Sequence, residues 1–307
     1  MDEITQLTTF RADTAPMTAR AHFRGHQRLM DEIADQRAGR RGPRLRSGLR
    51  SGLRSRRTLI AAALTLAITG GVIGSQIAGP GATETSAQAI SVLNQAADAL
   101  SDAPTPRPDQ FVYTDVLHTT GSALDTTVDQ SWRSVDGSQA GLSKESGGYN
   151  QTSTIAPHAP MLPGAALLND PYDALAQLPT DPDKLLQTLY ADPWVHEQQV
   201  NNHVSRGVAV WFDIRVLMVT SPTPLQAALF RAAAKIPHIT YTADATDALG
   251  RSGEAVGLYD SRVGTVQLIL DRNTHKYLGE RAIESGKVAI SNAVRTVAFV
   301  DKAGQLP

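Results

Sequence analysis

The chain contains no cysteine. That excludes disulfides, thiolate catalysis and any zinc site built on cysteine, although it does not by itself choose a compartment. Signatures of common chemistries are missing as well. There is no G-x-S-x-G elbow, no H-E-x-x-H pair, no P-loop and no dinucleotide fingerprint. His118, His158, His196, His203, His238 and His275 are scattered along the chain, and His196 and His203 beside Glu197 come nearest to a cluster. His22 and His26 stand at i, i+4 with no third ligand in reach, so they read as an exposed polar face. Asp181-Pro-Asp183 and Asp170-Pro-Tyr-Asp173 read as helix entries, not as paired catalytic acids. Aromatic residues make up only 5% of the chain, and Trp132, Trp194 and Trp211 read as core anchors. The sequence therefore predicts a protein that is not an enzyme, with no catalytic residues, no cofactor and no metal.

Charge is also missing where it is most informative. No acid occurs between Asp35 and Glu84, and Thr58–Gly79 carries no charge at all. A helix of that length spans roughly 33 Å, enough to cross the hydrocarbon core. Before it stand nine arginines from Arg37 to Arg57, among them Arg40, Arg41, Arg44, Arg46, Arg50, Arg54, Arg56 and Arg57. A basic flank on the amino side alone predicts a single-pass helix with its amino end in the cytoplasm and its carboxyl end outside. These arginines are the candidate topology signal and contact for membrane lipid headgroups. Other readings of the run remain. A buried core helix would be shorter and show a polar face. Ala87-Gln88-Ala89 offers a small-x-small cleavage pattern, but it lies beyond the apolar run, and Ser55–Ile60 has a twin-arginine look. Gly70 and Gly74, spaced G-x-x-x-G, are the candidate helix–helix contact.

The split in charge matches this reading. Residues 1–57 hold thirteen arginines, no lysine and six acids, a net of +7, against −8 for residues 58–307. The implied division is a cytoplasmic segment 1–57, a transmembrane helix 58–79, a linker 80–85 and an extracytoplasmic domain 86–307. Within the first segment, Asp2–Phe10 and Thr18–Gln36 read as two short helices separated by Pro16. They are followed by an Arg-rich linker with an SGLR-SGLR repeat, for which a membrane surface accounts without nucleic acid. Two such helices bury little core alone, so this part reads as a partner-docking segment or a disordered tail.

In the outer segment Ala87–Leu100 reads as a helix and Gln110–His118 and Thr126–Val135 as strands, with Asp136-Gly137 turning into a third. Residues 143–170, rich in Ser, Gly, Pro and Asn, read as a long irregular loop. Helices are expected over Tyr172–Gln177, Pro182–Tyr190, Val204–Val219 and Pro224–Ala234. Strands are expected over His238–Ala245, Glu254–Asp260, Thr265–Asp271, Tyr277–Ser285 and Lys287–Val300. Strands, then helices, then a meander imply an α+β domain: a curved antiparallel sheet with helices packed on one face. Such a sheet could enclose an apolar ligand.

The order of EITQLTTFRADTAP, RLMDEIADQR, FVYTDV, SWRSVDGSQAGL, ALAQLPTDPDKLLQTLY, AALFRAAAKIPHITYTADATDALGRSGEAVGL and LILDRNTHKYLGER resembles a family of actinobacterial single-pass membrane proteins of uncharacterised function, often encoded beside extracytoplasmic-function sigma factors. The exported half loosely resembles the half-barrels of periplasmic lipoprotein carriers and of sensor subunits that regulate some anti-sigma factors. One-pass topology, a folded exterior and a minimal interior point to a membrane-anchored signalling accessory: a sigma factor met through residues 1–36, and an apolar ligand or lipoprotein met outside. The resemblance brings no catalytic residues. Many anti-sigma domains hold zinc with His and Cys, which a chain without cysteine cannot do, so any sigma contact here would be smaller and different. The alternative is an anchored lipid- or lipoprotein-binding module with no cytoplasmic partner.

Overall fold

The computed structural model describes residues 85–307 apart from 101–104, 122–124, 148–149, 160–166 and 168–169. The two amino-terminal helices, the apolar run 58–79, the arginines from Arg40 to Arg57 and the Gly70/Gly74 pair lie outside the described residues. Among the described residues no helix is long and apolar enough to cross a membrane.

Among the described residues, nine strands form one antiparallel sheet. The chain enters through α1 (Ala87–Asp98), then lays down β1 (Phe111–Thr120), β2 (Asp125–Ser134), β3 (Gly141–Ser146) and β4 (Gln151–Ile155). Among the described residues five helices follow: α2 (Tyr172–Leu175), α3 (Pro182–Ala191), α4 (Pro193–Asn202), α5 (Arg206–Thr220) and α6 (Thr223–Ala233). A second meander closes the fold with β5 (Thr240–Thr246), β6 (Ser252–Asp260), β7 (Gly264–Leu270), β8 (Tyr277–Glu284) and β9 (Lys287–Val300). The strand order is β4-β3-β2-β1-β9-β8-β7-β6-β5. The first and last strands thus meet at the centre, and α2–α6 are an excursion between two wings. Register shifts at Asp115/Val116, Thr242/Ala245, Ile269/Leu270 and Ala282/Ile283 mark bulges, which bend and twist the strands that carry them.

Turn chemistry sets several corners. Ser285 and Gly286 both have positive φ, 51° and 76°, and join the paired residues Glu284 and Lys287, so β8 and β9 meet in a two-residue primed turn. At the Asp136-Gly137 corner the Asp136 carboxylate accepts from Ser138 N at 2.8 Å and from the Ser134 and Ser138 hydroxyls. Those donors hold its carboxyl below the usual range. Arg251, in the β5–β6 connection, is clamped by Asp247 and donates to the carbonyls of Leu278 and Val294, at 2.8 and 3.0 Å. It ties that connection to β8 and β9, a role with no sequence signature.

The helices cover one face of the β5–β8 wing. Val256 and Leu258 on β6, and Val266, Leu268 and Leu270 on β7, belong to the same core as the buried faces of α1, α3, α5 and α6. Alternate residues Ala255 and Ile269 join Ala245 and Leu278 in a separate cluster on the other face. In the β1–β4 wing the main cluster is Phe111, Tyr113, Trp132 and Val300, which the register places on the face away from the helices. The Trp132 indole N–H donates to the Gln305 carbonyl, so the carboxyl-terminal tail lies over it.

Two expectations need correction. Residues 143–170 do not form one irregular loop, because β4 pairs with β3 over Gln151–Ile155. That strand is exposed over nearly its whole length, so neither alternation nor apolar content marks it. A helix also occupies Pro193–Asn202, where none was expected; its composition is polar, and only Val195 and Gln198 are buried.

Candidate functional site

The described histidines form no common site. His196 is exposed on α4, and His203 ends that helix in the left-handed region, with φ 52°. His275 pairs with Glu254 at 3.2 Å, and Tyr241 donates to the same carboxylate. Among the described residues no group of three or more His, Cys, Asp or Glu is placed to hold a metal ion.

His118 belongs to a polar chain that crosses the helix-facing side of the sheet. Arg215 on α5 meets Glu280 on β8 at 2.6 Å, and its guanidinium stands over the Phe212 ring. The Asn292 amide on β9 donates to the same Glu280 oxygen at 2.6 Å. Its carbonyl oxygen is thereby left to accept from His118 Nδ1 on β1 at 2.8 Å, which sets the proton on that ring nitrogen. Burial, and then the Glu280 charge, push the Tyr277 phenol well above its ordinary range. The chain satisfies a carboxylate between helix and sheet and presents no activated nucleophile. It links α5 to the two central strands.

Beside it the helix-facing side of β1 and β2 opens into a shallow cleft of about 60 Å³. Thr114, Ser131, Arg133, Tyr172 and Thr220 contribute to its walls. The two hydroxyls bond each other at 2.7 Å, and Arg133 donates to the Ala159 carbonyl. Burial lowers the Arg133 pKa. A volume of this size holds a few waters, whereas pockets for small molecules measure roughly 300–1,000 Å³.

The least expected group is Asp213, in the middle of α5. It is 0% exposed, and neither carboxylate oxygen has a hydrogen-bond partner among the described residues. Its pKa is pushed up to about 8, chiefly by burial and then by the negative charge of Asp192, with Arg215 acting in the opposite sense. Asp192, 3% exposed, sits at the corner between α3 and α4. Its Oδ1 accepts from Trp194 N at 2.8 Å and caps α4, while Oδ2 accepts from Leu167 N at 3.0 Å. Loss of solvent, and then Asp192, also raise the Asp170 carboxyl. A sequence signal for Asp213 existed: it is a lone acid inside GVAVWFDIRVLMV, an apolar stretch with no polar face for it to occupy.

No protein-family model matches the chain, and no curated protein matches it. Among solved structures it is similar to MucB, with 14% identity over 75% of this chain and 62% of that one, at a TM-score of 0.29. MucB in complex with MucA(peri) gives 12% identity, 71% and 57% coverage, and a TM-score of 0.28. The Pseudomonas aeruginosa MucA/MucB complex gives 13% identity, 72% and 59% coverage, and a TM-score of 0.28. The chain thus spans about three fifths of the length of these MucB chains. A TM-score of this size does not establish a shared fold.

Proposed function

We propose that the chain is a membrane-anchored, non-enzymatic signalling accessory. In this reading residues 58–79 cross the membrane, residues 86–307 bind or sense outside, and residues 1–36 meet a sigma-factor-like partner inside. The observation that carries it is the sequence of the apolar run: twenty-two uncharged residues, flanked on the amino side alone by nine arginines. The α+β domain beyond that run has a helix–sheet core of its own, as a separately exported unit needs. The lipid- or lipoprotein-binding alternative has less support. Space between helices and sheet is filled by side chains such as Leu185, Leu189, Ile214 and Leu229, each 0% exposed, and the cleft measures about 60 Å³.

Reporter fusions test the topology, and a two-hybrid screen tests the partner. A periplasm-dependent reporter joined after residue 307 is expected to be active, and the same reporter after residue 57 silent, with full-length chain in the membrane fraction. Residues 1–57 as two-hybrid bait are expected to capture a sigma factor. Release of a product shortened to begin near Ala89 would refute the anchor. Failure to capture any transcription factor would remove the cytoplasmic half of the proposal.

A further inference from the structure

Arg215, Arg231 and Arg251 are half-buried, and each is paired with an acid: Glu280, Asp98 and Asp247 in turn. Arg133 on β2 is half-buried too, yet it forms no ion pair among the described residues. Its guanidinium donates to the Ala159 carbonyl at 3.2 Å, which leaves most of its N–H groups unused. Burial lowers its pKa, and no acid acts in the opposite sense. A cation taken partly out of water without a counter-charge is costly, and an anion supplied from outside relieves that cost. The surroundings suit one. Arg133 lines the helix-facing cleft of about 60 Å³. Thr114 and Ser131 pair across the strands on the same face, two residues or roughly 7 Å along from the Val112–Arg133 pair. Their hydroxyls share one bond of 2.7 Å, so one hydroxyl proton remains to be given. On α2, Tyr172 brings a phenol with no hydrogen-bond partner among the described residues, its ring set edge-on to Phe299 at 5.3 Å. At the Asp136-Gly137 corner, Gly137 has φ 76°, and a Cβ there would stand 3.1 Å from His158 Nδ1 and 3.3 Å from Pro171 Cβ. Glycine thus lets both residues pack in against the hairpin beside the cleft.

We propose that this cleft binds a small oxyanion, a phosphate, sulfate or carboxylate group, held by the Arg133 guanidinium together with the Thr114/Ser131 hydroxyls and the Tyr172 phenol. Size selects the class. The space takes roughly five waters, or one group of about five heavy atoms, which is too little for an acyl chain or a sugar ring. Charge selects the sign. The one acid among the described lining residues is Asp170, which is exposed, against Arg133 and the nearby His158. Geometry selects the anion's form: the planar fork of an arginine meets two oxygens of a carboxylate or phosphate at once, in charge-assisted bonds. The site goes beyond the signalling role, and it stands whether or not residues 58–79 cross a membrane.

The test is ligand-detected NMR on the full-length chain in detergent micelles, at fixed pH and ionic strength, with sodium chloride as the balancing salt. Inorganic phosphate is followed through its phosphorus line width, and acetate through saturation transfer from the protein. A response from phosphate alone identifies a tetrahedral anion, and one from acetate alone a carboxylate; either supports the site. Arg133→Met is expected to weaken binding about tenfold or more, the loss of a charge-assisted bond. Tyr172→Phe keeps the ring beside Phe299 and removes the hydroxyl, so a loss of about threefold is expected. Asp170→Asn removes the lining acid and is expected to tighten binding. The control is Arg281→Met. Arg281 is also half-buried without an acid partner, but it is bonded to Gln267 and lines no part of the cleft, so this variant is expected to bind as the parent does. Silence from both anions, undiminished binding in Arg133→Met, or an equal loss in Arg281→Met would each overturn the proposal. Should Arg133→Met not fold, unchanged affinity in both Tyr172→Phe and Asp170→Asn overturns it instead.

Discussion

Buried ionisable groups write themselves into the pH dependence of stability. Asp213 has a folded pKa near 8 against an ordinary value of 3.8, so folding raises its affinity for a proton. The sign follows: its contribution is fully present below about pH 4 and is lost as pH rises to about 8. At neutral pH the cost to the fold is on the order of 4 kcal/mol, taking roughly 1.4 kcal/mol per pKa unit. Asp213→Asn removes that dependence while keeping the shape of the side chain. The variant is therefore expected to melt at a higher temperature than the parent at pH 8.5, with the difference closing or reversing at pH 4.5. Thermal melts of both proteins at the two pH values check this, and a difference that ignores pH would contradict it.

The helix layer depends on its caps, and one dipeptide recurs at two of them. Asp181-Pro182 opens α3, where the carboxylate accepts from Asp183 N at 3.1 Å and Lys184 N at 2.9 Å. Asp192-Pro193 opens α4 in the same way. Removing the exposed cap by Asp181→Ala is expected to cost about 1 kcal/mol, read as a lowered denaturant midpoint at unchanged slope. The first Asp-Pro was readable from sequence because Leu185 and Leu189 follow it at helical spacing and both are buried. The second was not, since PWVHEQQVNN carries too few apolar residues to show a face. The same physics explains the strands. β6 and β7 are buried on both faces and legible as strands, whereas β4 is exposed along nearly all its length and carries no strand signal. The polar chain from Arg215 to His118 and the Arg251 tie join residues up to 174 positions apart, which no local pattern encodes.

At the scale of the whole domain, the sheet is continuous but its supports are not. β6 and β7 contribute to the helix-packed core, and their own side chains are almost all buried. The β1–β3 wing relies on a smaller cluster around Trp132, beneath a tail anchored where Asp301 accepts from Arg107 and Gln110 at 2.8 and 2.9 Å. Regions with fewer buried apolar contacts open at lower free energy than the molecule as a whole. Deleting residues 302–307 leaves Asp301 and Val300 in place but removes the Gln305 carbonyl from the Trp132 indole N–H. An unpaired buried donor costs about 1–3 kcal/mol, and that cost falls on one wing. The truncated chain is therefore expected to show red-shifted tryptophan emission and faster amide exchange in β1–β3, with exchange in β6 and β7 little changed. Equal acceleration in both wings would mean that the nine strands open as one unit, with the central β1–β9 seam transmitting the loss of the tail across the sheet.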